Sequence, residues 1–252
     1  MIGGPVTVRR RARPAALLLV VAAAAWGLVV TRWGGMQATP GTMSLGLPAF
    51  LVMWTLMTAA MMLPATAPVA ALYARTITVH RTPRMVAFTV AYLLVWAAAG
   101  LPAYGLAAGL GQAAKLPAAA GTAVAAAVFA ISGLYQLTPL KDRCLAMCRS
   151  PIGLMLGYAS YPRQSRDLRA GAHHGAFCLG CCWSLMVLLA AFGVMNLWAM
   201  VVLTTVITVE KLAPAGRRVA RAVGVASIAL AFAVFWVPAL ALGLTGGGMA
   251  GM

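Results

Sequence analysis

Long stretches of this chain carry no charged side chain, and that restricts what it can fold into. Residues 14–31, 33–74, 85–114, 116–140, 170–209 and 222–252 contain no Asp, Glu, Lys or Arg. A helix needs about 20 mainly apolar residues to cross a hydrocarbon core of about 30 Å. The run 33–74 opens with Gly, Thr, Gln and Pro, so a loop to about Pro48 precedes one crossing. As a single helix, 170–209 would extend about 60 Å, twice the membrane. A split near Gly193–Asn196 gives two short crossings instead. The expected fold is all-α: a polytopic membrane helix bundle of seven helices near 14–31, 48–72, 85–110, 118–138, 174–192, 196–210 and 219–243.

The cations test that count. Arg9, Arg10, Arg11 and Arg13 lie in a basic N-terminal segment, 1–13, and further clusters follow the second, fourth and sixth helices. Alternate connections therefore hold 17 cations, while the opposite side holds only Arg32 and Lys115. By the positive-inside rule the N-terminus is cytoplasmic and the C-terminus external. Without the split of 170–209, the cluster Lys211, Arg217, Arg218 and Arg221 would fall outside. The expected location is the inner (plasma) membrane, multi-pass, with the lipid bilayer as the main partner. Arg9–Arg13 and the apolar run after them read as an uncleaved signal anchor, because no clear small-residue cleavage site follows. Removal of that segment would leave six helices.

Composition excludes other classes. The chain is 63% hydrophobic and 9% charged, whereas about a quarter of a soluble chain is charged. Disorder requires low hydrophobicity. The net charge of +16 does not indicate nucleic acid, because the cations sit in short clusters between apolar runs. The basic loops read as topology determinants that touch anionic lipid heads, and His80, among Arg75, Arg81 and Arg84, as a solvated loop histidine.

All five cysteines lie between 144 and 182. Cys144 and Cys148 stand four apart, one above the other if helical. Cys178, Cys181 and Cys182 fall near the start of the expected fifth crossing. At about 100° per residue, Cys182 lies near +40° from Cys178, Cys181 near −60°, His174 near −40° and Met186 near +80°. Several donors thus share one side of a helix. Their inner location is reducing, which disfavours structural disulfides. Thiolates select Cu(I), Zn(II) and iron–sulfur clusters, but C-x3-C and C-x2-C-C match no standard zinc-ribbon or ferredoxin spacing. The bland alternative is cysteine as a small apolar packing residue; two tight groups favour ligands over it.

Met53, Met57 and Met61 recur every four residues in helix two, with Met62 adjacent and Pro64 placed to break or kink the helix. Thioethers are soft and bury without adding charge, so Met57 and Met61 are candidate Cu(I) ligands beside the thiols; the alternative is flexible apolar filler. Tyr135, Gln136 and Asn196 are polar residues within apolar runs, where such residues carry weight. Glu210 and Lys211 read as a pair anchoring a helix end, and Asp142 either as a hard group behind the metal ligands or as the partner of a neighbouring Arg. Arg143 and Arg149 are expected to stabilise thiolates.

G-L-Y-Q-L-T-P-L-K-D-R-C-L-A-M-C-R-S-P (133–151) and H-G-A-F-C-L-G-C-C-W-S-L-M (174–186) resemble the two signatures of a bacterial family of predicted metal-binding integral membrane proteins, formally a domain of unknown function. W-T-L-M-T-A-A-M-M-L-P (54–64), Y-L-L-V-W (92–96), G-V-M-N-L-W-A-M (193–200) and E-K (210–211) also fit, so the resemblance covers about 48–215. It implies a polytopic inner-membrane protein with a metal site at Cys144, Cys148, Cys178, Cys181 and Cys182, with His174 beside it. It implies no reaction.

Three functions compete. The first is binding of a soft metal, Cu(I) ahead of Zn(II), for transport or delivery, with a metal chaperone or a membrane complex as partner. The second is a membrane thiol oxidoreductase built on Cys178 and Cys181, with Cys144 and Cys148 as a relay pair. The third is a non-catalytic assembly factor or subunit holding a structural ion. No G-K-[ST] phosphate loop, acidic pair or Ser-His-Asp arrangement appears, and three acidic residues in all speak against ATP-driven pumping. The expectation is that the chain is not an enzyme.

Overall fold

A computed structural model of the protein describes residues 6–33, 41–77, 79–115, 117–149, 157–158, 162, 165–237 and 240, with the side chains of 6–15 and 190 excepted. Among the described residues there are eight helices and no strand. They are α1 (Val6–Trp33), α2 (Leu47–Thr76), α3 (Arg81–Ala113), α4 (Ala118–Gln136), α5 (Pro139–Arg149), α6 (Arg166–Phe192), α7 (Leu197–Leu212) and α8 (Gly216–Ala233).

Five of them are long and apolar enough to cross a membrane: Ala16–Trp33, Leu47–Thr76, Arg81–Ala113, Ala118–Gln136 and Arg166–Leu189. The count of seven is not established. α7 has 16 residues, about 24 Å of helix, short of a full hydrocarbon core. α8 opens on Arg217, Arg218 and Arg221 and closes at Ala233, followed by turns. The expected stretch to 243 falls partly outside the described residues.

The division of 170–209 has a local cause. Gly193 ends α6 at φ +97°, a backbone region that disfavours side chains. Asn196 then caps α7: its side-chain oxygen accepts from the Ala199 N–H at 3.2 Å, a standard N-cap. Its amide also donates to the Phe192 carbonyl at 3.1 Å, tying the two helices across the turn.

Two boundaries differ from expectation. α1 runs back through Arg9–Arg13, because Arg is a good helix former. α6 starts at Arg166 and not at 174, so Cys178 lies about 18 Å along it, in its middle and not near its start.

Pro64 and Pro68 lie inside α2, which nevertheless continues to Thr76. Pro64 has no N–H, so the carbonyl four residues earlier, at Ala60, loses its helical donor. The Trp26 indole of α1 donates to that carbonyl at 3.1 Å. An interhelical bond thus replaces the missing one.

α6 lies at the centre of the bundle, packed against α3, α4, α5 and α7. α1 packs on α2, and α4 on α8. The helix that carries Cys178, Cys181 and Cys182 is therefore enclosed by four others.

Candidate metal centre

Thr138 and Pro139 end one helix and begin the next. The Thr138 hydroxyl accepts from the Lys141 N–H at 3.2 Å, and Pro139 occupies the first position of α5, where its missing N–H costs nothing. α5 then places Lys141, Cys144 and Cys148 on one side, three and four residues apart. That side lies against the middle of α6 and the C-terminal end of α7.

On α6, Cys178, Cys181, Cys182, His174 and Met186 are all buried, so the arc expected to carry donors faces the interior. Cys148 of α5 and Cys181 of α6 bring their sulfurs to 3.7 Å. Cys181 and Cys182 lie 3.3 Å apart, Sγ to Sγ. Ligands of one ion with metal–sulfur bonds near 2.3 Å stand about 4 Å apart; the Cys148–Cys181 separation is close to that and the Cys181–Cys182 separation is shorter. Cys144 lies against Gly180: a Cβ there would stand 2.9 Å from the Cys144 Sγ. Any larger residue at 180 would move that sulfur.

The contacts run as a chain of pairs. Among the described residues, no group of three or more His, Cys, Asp or Glu side chains converges in an arrangement able to hold a metal ion. One reason is visible: the Cys181 thiol donates to the Cys178 carbonyl at 3.2 Å. All five cysteines are free thiols.

Cys178 also meets groups outside the set of thiols. Its sulfur accepts from Lys211 Nζ at 2.9 Å and lies 2.9 Å from the Tyr92 hydroxyl. Tyr92 in turn accepts from Thr66 of α2 at 3.2 Å. His174 is stacked between Phe88 and Tyr92, with ring centroids at 6.1 and 5.7 Å. Its Nδ1 is buried with no hydrogen-bond partner among the described residues.

Around the thiols runs a buried polar network. Lys141 Nζ pairs with Glu210 Oε2 at 2.7 Å with both side chains inaccessible, and it also donates to the Cys181 carbonyl. Gln136 donates to the other Glu210 oxygen at 3.2 Å. Tyr135 donates to the Gly180 carbonyl. Burial works against the charge of Lys141, but Cys182, Glu210 and Cys181 outweigh it and raise its pKa. Burial pushes the Cys144 thiol up, with Lys141 partly opposing; Cys144 is held as a neutral thiol more firmly than a free cysteine.

Several expectations change here. Glu210 pairs with Lys141 of α5 and not with its neighbour Lys211. Arg149 reaches no thiol: it donates to the carbonyls of Glu210 at 2.6 Å and Pro214 at 3.1 Å. The cations beside the sulfurs are Lys141 and Lys211. The spacing of Lys141 to Cys144 and Cys148 was the available signal for the first; Lys211 had none beyond its place at the end of an apolar run. Asp142 does meet an arginine, Arg221, at 3.5 Å. His80 is exposed, at φ +51°.

Met57 and Met61 are fully buried in the same continuous core as the cysteines. The face of α2 that touches α3 runs from Trp54, which donates to the Trp96 carbonyl at 2.8 Å, to Thr66. At about 100° per residue that arc contains Met62 and leaves Met57 about 60° outside it. Met62 is therefore the α2 methionine whose face leads to Tyr92 and Cys178. It stands outside the four-residue repeat of Met53, Met57 and Met61.

A family model described as "PpoB2: Copper chaperone" matches residues 51–234. Among curated proteins and among solved structures, none matches.

Proposed function

This chain belongs to the PpoB2 copper-chaperone family, and from that premise we propose that it is an integral, multi-pass protein of the plasma membrane, N-terminus inside, that carries Cu(I) and delivers it to an acceptor protein. Cys148, Cys181 and Cys182 form the receiving group, with Cys178, Cys144 and His174 at its edge. Loading re-aims the Cys181 sulfur from the Cys178 carbonyl to the ion. The thiols bind as thiolates, and softness favours Cu(I).

The observation that carries this reading is the 3.7 Å approach of Cys148 to Cys181 from two separate helices. Depth along the helices supports it. Cys178 lies about 18 Å from the inner start of α6, and Met61 about 22 Å from the inner end of α2. In this placement the thioethers of Met61 and Met62 lie near the level of the thiols, with Met62 on the face that leads to them. The chain acts as a carrier without catalysis.

The test is copper analysis of detergent-purified full-length protein after Cu(I) loading. Wild type is expected to retain copper, and Cys148→Ser combined with Cys181→Ser to lose most of it. Equal, negligible copper in both would overturn the proposal.

The same sulfur pair favours one rival, a thiol oxidoreductase. Thiol trapping in cells separates the two: a relay accumulates an internal or mixed disulfide, and a carrier keeps its thiols reduced.

A further inference from the structure

We propose that Lys211 is a specificity-determining residue of the thiol pocket, a fixed positive charge that favours a monovalent ion over a divalent one. The inference rests on the Cu(I) reading above and adds the means by which the site discriminates.

The geometry is specific. Lys211 is buried, and its Nζ lies 2.9 Å from the Cys178 sulfur. The distribution of acids makes this contact unusual. The chain has three acidic residues, and each faces a different cation: Asp142 faces Arg221 at 3.5 Å, Asp167 faces Arg84 at 2.8 Å, and Glu210 faces Lys141 at 2.7 Å. The two oxygens of Glu210 are engaged by Lys141 and Gln136. Lys211 thus has a sulfur where a buried ammonium ordinarily has a carboxylate.

That arrangement bears on which ion the neighbouring thiols accept. Softness alone does not decide, since thiolates bind Zn(II) as well as Cu(I). Charge does. Repulsion from a fixed ammonium scales with the charge of the incoming ion and is strong in a weakly screening interior. A divalent ion meets twice the repulsion of a monovalent one. A divalent ion also needs one more thiolate than a monovalent one for neutrality. Lys141 exerts no comparable effect, because Glu210 offsets it at contact distance.

The experiment uses the full chain in detergent and measures apparent affinities for Cu(I) and for Zn(II) under competition with chelators. The readout is their ratio, with Lys211→Met, Lys211→Gln and Lys211→Arg compared with wild type. Loss of the charge in the Met and Gln variants is expected to shift the ratio toward Zn(II) by roughly tenfold or more, while Arg keeps it near wild type. The Gln variant stands in if the Met variant does not fold. An unchanged ratio in the neutral variants, or an equal shift in the Arg variant, overturns the inference and leaves Cu(I) binding intact. A wild-type chain that binds no Cu(I) removes the functional reading itself, and this inference with it.

Discussion

The contact between α1 and α2 and the contact among α5, α6 and α7 bury different chemistry. Where α1 lies on α2, the buried α1 residues are Leu18, Ala22, Ala25 and Val29, spaced for one helical face. Among the described residues, a single interhelical side-chain bond, Trp26 to the Ala60 carbonyl, joins the pair. Where α5, α6 and α7 meet, the buried residues include Lys141, Glu210, Lys211 and the thiols. The first contact is apolar packing along one helical face. The second takes charges out of water, and well-packed apolar residues often hold helices as well or better. A costly arrangement at the one place where two cysteine motifs approach points to chemistry as its reason. α1 also lies outside the matched stretch 51–234, whereas α5, α6 and α7 lie within it.

The largest test of this contrast is Lys141→Met. It leaves Glu210 buried with only Gln136 beside it, and removing one partner of a buried pair costs about 3–5 kcal/mol. Thermal unfolding in detergent should show that loss, and Lys141→Met combined with Glu210→Leu should recover most of it. A single variant as stable as wild type would mean that the pair is not closed in the protein. A smaller effect is expected on the other side. Trp26→Phe leaves the Ala60 carbonyl without its donor, a loss of about 1–3 kcal/mol. Copper retention should be unchanged; if it falls with stability, the two contacts are not separable.

The smallest effect concerns protonation. Burial disfavours the thiolate of Cys144, so its pKa is raised and its thiolate fraction at a given pH lies below that of a free cysteine. With the other four cysteines replaced by Ser, iodoacetamide should modify Cys144 more slowly than free cysteine near neutral pH. The gap should narrow as pH rises through the raised value. A rate equal to that of free cysteine at every pH would contradict the burial.

What could be read in the sequence was what periodicity and charge encode. Charge-free runs located the long helices, because length and apolarity alone fix those. Gly193 and Asn196 marked the division of 170–209, because a glycine and a capping side chain act locally. The buried arc on α6 followed from helical spacing alone. The pairing of Glu210 was not legible: its partner lies 69 positions away, and adjacency suggested Lys211. Nor was the start of α6, since Asp167, Arg169 and the intervening residues do not look like membrane helix. There the carboxylate of Asp167 takes two bonds from Arg84, at 2.8 and 3.0 Å, and one from Tyr73. Long-range neutralisation lets a polar turn extend an apolar helix, and no local pattern reports it.

Glu210 and Lys211 are adjacent on α7, about 100° apart around its axis, yet they grip different helices: Glu210 holds α5 through Lys141, and Lys211 holds α6 through Cys178. The end of α7 is therefore a shared footing for both thiol carriers: whatever displaces that one turn disturbs the seating of both.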